Sequence, residues 1–209
     1  MKYLFGIVLL SIFSCGNKED VLLPKANETI VKEVKDLSPI YMFFRVEDKD
    51  TLTEVNRSNS ISTTNWILNI DKRLPLRLVI PEVIKLQEKK RGDSAHKNEA
   101  AQNYYSYADT VGKNLAFLPF TDVFYTIGEP SEKDMVIKIT KGSNMVVVDE
   151  ELVKKSEVVD YVYGLDHMLK PNISLLFDKN MSYGEYIQTK ILLRKLNTFT
   201  TEVPKEFIY

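Results

Sequence analysis

The residues able to carry chemistry are few, and they are mostly acids. Two Asp-Lys pairs, Asp71-Lys72 and Asp178-Lys179, stand 107 residues apart, each after an apolar run and before a helix-like one. Two carboxylates could share general acid–base work if the fold brought them together. An aspartate at a strand end ahead of a helix usually closes the turn or caps the helix, and that is the role expected of both. His96 lies in a charged loop, and His167 directly follows Asp166. Adjacency along the chain is not the spatial order a catalytic triad needs. There is no Gly-rich phosphate loop, no G-x-S-x-G and no His/acid cluster at metal spacing. No catalytic residue, cofactor or metal is expected, and the chain reads as non-enzymatic. The remaining reactive group is a single cysteine, Cys15.

Cys15 follows a short positive start at Lys2 and an apolar run over 3–13. That run has the length of a signal-peptide core and is too short to cross roughly 30 Å of hydrocarbon as a helix. Ile12-Phe13-Ser14-Cys15-Gly16 resembles a relaxed bacterial lipobox of the Bacteroidetes type, with isoleucine where leucine is usual and a bulky Phe13. The resemblance implies cleavage of a lipoprotein signal peptide, 1–14, and a membrane anchor on lipidated Cys15. Lys18, Glu19 and Asp20 resemble the surface-export sorting signal of flavobacterial lipoproteins. Localisation in the cell envelope follows, at the outer membrane (periplasmic face or cell surface) rather than the inner one. Two or three acyl chains anchor stably, because each buried CH2 contributes about 0.8 kcal/mol.

The elements that must position these residues are those of an ordinary globular protein. The chain has 209 residues, 44% hydrophobic and 27% charged, enough for one domain or two small ones. Its 28 basic and 29 acidic residues give a net charge of −1, and loss of Lys2 makes it −2. That balance, without a long basic cluster, argues against nucleic-acid binding. With one cysteine there is no disulfide framework.

Pattern and punctuation predict an α+β fold of small mixed sheets with helices on one face. Four segments are expected: the signal peptide 1–14, a tether over 15–37 that ends in a helical turn or two, an N-terminal β-rich module over 38–128, and a C-terminal module over 129–209. In the first module, strands are expected at 40–46, 51–55 and 65–70, then an apolar-periodic helix over 76–90. Pro81 either kinks that helix or opens it, with 76–80 extended; the second is preferred. The Ala/Tyr-rich 100–108 reads as a short helix on the core, and 114–127 as one or two short strands. In the second module, a hairpin over 135–148 precedes a helix over 150–163 capped by Asp149, with Gly164 in the left-handed position. A strand at 173–177 then leads into a helix opened by Ser182-Tyr183-Gly184-Glu185, a capping box. A last strand is expected at 199–203.

Sliding the chain by 107 residues superposes 67–72 on 174–179, with Leu68 on Leu175, the Asp-Lys pairs on each other and Ile80 on Ile187. This suggests two tandem β-α modules. The order hairpin, helix, strand, Asp turn, Tyr, helix over 135–197 resembles the periplasmic domain of ExbD/TolR-family biopolymer transporters. ISLLFDKNMSYGEYI, 173–187, carries the closest likeness, and Asp178 and Tyr183 are the family-like positions. Over 66–84 the likeness is weaker, because Leu76 stands where the tyrosine falls. The resemblance implies a domain that dimerises and serves an energised membrane transport system, with ExbB/TolQ-like motor subunits or another envelope protein as partners. The family's membrane helix carries a proton-accepting aspartate, whereas 3–13 has no acid. The expected role is therefore a tethered accessory or interaction component. The alternative is a surface lipoprotein binding a ligand through the aromatics of 104–107 and 117–125.

Overall fold

The computed structural model describes residues 20–92, 98–130, 134–165, 171–200 and 202–209. The fold is α+β, with two mixed six-stranded sheets. The first sheet is entered by a short β1 (Lys25–Ala26). A hairpin of β2 (Leu37–Glu47) and β3 (Asp50–Asn56) follows, turning at Asp48 in the left-handed region (φ 54°). β4 (Asn65–Ile70) runs parallel to β2 and leads through the Asp71 turn into α1 (Leu76–Arg91). β5 (Asn103–Asp109) is parallel to β4 and returns as β6 (Asn114–Pro119). The strand order is β3-β2-β4-β5, with β6 on the far side of β5. β4 is buried along most of its length, as a parallel strand inside a sheet must be. Its apolar run without strict alternation follows from that.

The second sheet begins with β7 (Tyr125–Ile127), then the hairpin β8 (Met135–Ile139) and β9 (Met145–Val148), which continues into β10 (Glu151–Lys154). The short α2 (Val158–Gly164) precedes β11 (Ile173–Phe177), α3 (Tyr183–Leu193), a 3-10 turn over Arg194–Thr198 and β12 (Lys205–Ile208). The order is β10-β9-β8-β11-β12-β7, with β8, β11, β12 and β7 mutually parallel. Hairpin, middle strand, helix and last strand thus occupy the same places in both sheets: β3-β2-β4-β5 matches β9-β8-β11-β12. One apolar cluster runs through both modules.

The 107-residue offset is present in the geometry. β4 ends at Ile70 and β11 at Phe177; α1 starts at Leu76 and α3 at Tyr183. The two turns lie antiparallel against each other, bridged at Pro75 and Ser182. Leu76 N donates to Met181 O (2.9 Å), and its counterpart Tyr183 N donates to Leu74 O (2.7 Å). Arg77 N donates to Lys179 O (2.8 Å), and Gly184 N to Lys72 O (2.9 Å). These four bonds form two pairs related by the offset, a local two-fold relation inside one chain. The first N–H groups of a helix have no partner within it. Here each helix start is completed by carbonyls of the other module.

Several elements differ from the sequence expectation. The segment 22–36 is not a tether. Leu22 N donates to Asp71 Oδ2, Ala108 N to Pro24 O and Thr110 N to Ala26 O, and Val31 bridges Phe117. β7 belongs to the second sheet although it precedes residue 129. Residues 103–109 form β5, not a helix, because Tyr105 and Tyr107 point to one buried face at period two. α1 begins at Leu76, so Pro81 lies inside it and 76–80 are helical. The stretch 150–163 splits into β10 and α2. Asp149 caps no helix; it sits at φ 45° and accepts from Val136 N. Gly164 ends α2 without a positive φ. The last strand lies beyond Pro204, at β12, because 194–198 close a 3-10 turn first.

The seam is tight at Gly184, where an added Cβ would lie 3.1 Å from Lys72 Cβ and 3.3 Å from Lys72 O. Gly184→Val should therefore lower stability in urea unfolding by about 1–3 kcal/mol through overpacking, although replacing a helical glycine is normally favourable. An unchanged or higher midpoint would show that the seam has slack.

Candidate functional site

The junction of the two modules gathers the family-like residues and most of the buried polar groups. Asp71 is fully buried and holds Arg73 through Nε to Oδ1 (2.8 Å) and Nη2 to Oδ2 (2.7 Å). It also accepts from Arg73 N (3.0 Å) and Leu22 N (3.1 Å). Burial pushes this carboxyl up, but the Arg73 hydrogen bonds and the two main-chain donors outweigh it, and its pKa is lowered. Arg73 in turn lies over the Phe44 ring at 4.3 Å. Asp178, the equivalent residue, is only partly buried. It accepts from Asn180 N (2.8 Å) and, at 3.4 Å, from Lys141 N. Both aspartates close their turns as expected. Each also ties its turn to a distant segment, Asp71 to Leu22 and Asp178 to Lys141.

Ser182 accepts from Glu185 N at 3.2 Å, so half of the capping box forms. The Glu185 carboxylate does not return to Ser182. It accepts from Gly142 N (3.0 Å) and from Lys155 Nζ (3.3 Å), tying α3 to the β8–β9 turn. Tyr183 is completely buried in the first turn of α3, edge-on to Tyr105 at 5.7 Å, and so packs the helix across the junction. Its hydroxyl is buried without a hydrogen-bond partner among the described residues.

Beside it runs a buried chain of hydroxyls. Tyr186 OH donates to Glu206 Oε2 (2.7 Å), and Glu206 is fully buried and paired with Lys190 Nζ. Tyr186 has spent its one proton, so Tyr125 OH must donate to it (3.1 Å) and Tyr105 OH to Tyr125 (2.7 Å). The order Tyr105, Tyr125, Tyr186, Glu206 leads from the first sheet across into the second. Burial pushes all four phenols, Tyr183 included, well above their ordinary pKa, so each stays protonated. The sequence reading missed this chain. Tyr186, three residues after Tyr183 on one helix face, was its visible signal; Glu206, in a short strand after Pro204, gave none.

The aromatics expected to form a ligand platform divide between buried and exposed positions. Tyr105 stacks on Phe120 at 3.8 Å, and Tyr107 is buried with its hydroxyl donating to Glu28 O. Phe124 is exposed, with Arg91 4.1 Å from its ring centroid. Two recesses flank the junction. One, of about 600 Å³, is lined by Lys25, Glu28, Asp160, Gln188 and Lys195 among others. The other, of about 250 Å³, is mainly apolar and lies between Leu76, Ile80, Pro81, Ile127 and Ile208, with Arg77 and Lys179 also lining it. Among the described residues no cluster of His, Cys, Asp and Glu could hold a metal ion, and no helix is long and apolar enough to cross a membrane. Cys15, Lys18, Glu19, His96 and His167 lie outside the described residues; Asp20 is exposed at their border.

Two contrasts test this reading. Asp71→Asn should cost about 2–3 kcal/mol, because it sets an amide donor against existing donors, while Asp178→Ala should cost about 1 kcal/mol. A carboxyl whose folded pKa is lowered stabilises above its unfolded value, near 3.9, and loses that contribution as pH falls through the folded value. The wild-type advantage over Asp71→Asn should be flat from pH 5 to 7 and shrink below about pH 4 in pH-resolved denaturant titrations. Tyr186→Phe should destabilise by about 1–3 kcal/mol by stranding Glu206, whereas Tyr183→Phe should be neutral or stabilising. Equal losses for the two tyrosines would contradict the hydrogen-bond assignment.

Comparison with family models, with curated proteins and with solved structures finds no match.

Proposed function

We propose that the protein is a lipid-anchored, non-enzymatic envelope component resembling the periplasmic domain of ExbD/TolR, acting through protein contacts in an energised membrane transport system. One observation carries the reading. The strand–Asp-Lys–helix unit that bears the family likeness occurs twice, and the two copies are joined by two offset-related pairs of main-chain hydrogen bonds. A domain of a family that dimerises would, in this chain, find its counterpart within the same polypeptide. The working unit is then a single chain rather than a homodimer, anchored by Cys15. ExbB/TolQ-like motor subunits are the partners this reading names.

Strand addition is the mode by which such a domain can hold a partner, and it needs a free sheet edge. The segment 145–148 is not one, since β9 is paired on both sides, and the described residues of 199–203 are not in a strand. The terminal strands of the sheets are β3 and β6 in the first, and β10 and β7 in the second. Of these, β10 bears Leu152, 65% exposed, and β7 bears Ile127, 66% exposed; β10 is the edge of the hairpin end of its sheet.

A photo-crosslinking residue in place of Leu152 should yield adducts with motor subunits in native membranes, and detergent-solubilised full-length protein should show the mass of one chain by light scattering. Adducts confined to unrelated proteins, or a strict dimer, would remove this reading.

The second reading, a surface lipoprotein holding a ligand, is carried by the 600 Å³ groove between the N-terminal segment and α3. Protease shaving of intact cells separates the two: cleavage at the surface supports the second, protection the first.

A further inference from the structure

The structure leaves very little chain between the fold and residue 15. Leu22 is already locked to the Asp71 turn, its N–H on Asp71 Oδ2 and its carbonyl accepting from Lys72 N. Only five Cα steps separate Cys15 from Asp20. At a maximum of about 3.6 Å per residue they reach about 18 Å. A lipid on Cys15 therefore cannot hold the protein at a distance. Whatever surface lies around Asp20 is brought against the lipid headgroups or close to them.

That surface is the uncovered face of the first sheet. Asp20, Val21 and Leu23 line a shallow recess of about 390 Å³ with Tyr41, Phe43, Asn56 and Asn69. Register places Tyr41, Phe43 and Arg45 of β2 beside Asn56, Glu54 and Leu52 of β3, all on one face. The opposite face is buried at Ile40 and Met42, fully covered in the core that α1 shares, and opens only toward the hairpin turn, where Val46 is 64% exposed. On the uncovered face, Leu37 is 44% exposed, Tyr41 37% and Leu52 41%. Tyr41 and Phe43 stack at 6.0 Å, and Arg45 lies 5.5 Å from the Phe43 ring centroid while pairing with Glu54. Tyrosine, and arginine with its apolar stem, are the side chains that suit a membrane–water interface, one end apolar and the other wet.

We propose that this face, centred on Tyr41, Phe43 and Leu52, rests on the lipid surface that Cys15 anchors the chain to. The inference rests on the lipid-anchor reading above. Contact is interfacial rather than inserted, because Asn56, Glu54 and Asn69 interleave with the apolar groups. It fixes the orientation of the whole molecule. The β2–β3 face is turned to the membrane, and the covered side of the first sheet, with α1, is turned away.

The test uses full-length acylated protein in phosphatidylethanolamine/phosphatidylglycerol vesicles. With Cys15 carrying its lipid, Tyr41→Cys, Leu52→Cys and Lys85→Cys each present one free thiol for an environment-sensitive fluorophore. Lys85 lies on the exposed side of α1 and serves as the control. Lipids brominated on the acyl chain should quench the labels at 41 and 52 at least threefold more than the label at 85. Acylated protein that floats with vesicles but shows equal quenching at all three sites overturns the orientation and leaves the anchor intact. A blue shift at 41 and 52 in native membranes but not in pure vesicles assigns the face to a protein partner instead, and also overturns it. Absence of acyl mass on the N-terminal peptide removes both the anchor and this inference. Two variants on separate strands, each at a position more than a third exposed, keep a local folding defect from deciding the result.

Discussion

The structure depends on two helix starts that complete each other. A helix begins with N–H groups that its own backbone cannot satisfy, and a protein normally supplies side chains or water. In this chain α1 has no side-chain cap at Pro75, and the first turn of each helix takes carbonyls from the opposite turn instead. The consequence is architectural. Neither module can leave the other without exposing four main-chain bonds and the tyrosine cluster packed beside them. The Asp-Lys turns gain their significance from this place, since they set the carbonyls of Lys72 and Lys179 where the other helix needs them.

The local two-fold relation is broken at its edges, and the breaks are where the modules differ in use. Lys72 N finds Leu22 O, while Lys179 N finds Tyr209 O. The N-terminal segment thus does for the first turn what Tyr209, the residue after β12, does for the second. It goes on to touch both modules, with Gln188 Nε2 donating to Lys25 O and Arg194 paired with Glu28. β7, drawn from the end of the first module, lies beside β12 and joins the sheets' histories further.

Much of this was legible in the residues. The strand, turn and helix over 172–197, the hairpin around Lys141-Gly142 and the strands at 40–46, 51–55 and 65–70 follow from period, turn chemistry and capping, all local properties. The 107-residue repeat was visible because Leu, Asp-Lys and Ile recur at fixed offsets. What stayed hidden was decided elsewhere in the chain. Tyr104, Tyr105 and Tyr107 look helical beside three alanines, Ala100, Ala101 and Ala108, yet the sheet claims them because β4 and β6 flank them. Pro81 was tolerated inside α1 because the helix start was already secured at Leu76 by the other module. Residues 22–36 look like a linker because, Thr29 and Glu28 apart, they are held largely through their main chain, which leaves little mark in side-chain pattern. Glu206 is buried only because Lys190 and Tyr186 meet it from a helix 16 to 20 residues away.

The clasp between the N-terminal segment and α3 also bears on the order of folding. Its contacts span 163 residues from Lys25 to Gln188 and 166 from Glu28 to Arg194. Contacts so distant close late, since loop entropy is lost before they contribute. The N-terminal segment can settle on the first module through Asp71, Ala108 and Phe117, but its clasp on α3 closes only once the second module has formed, so the two modules are belted together last.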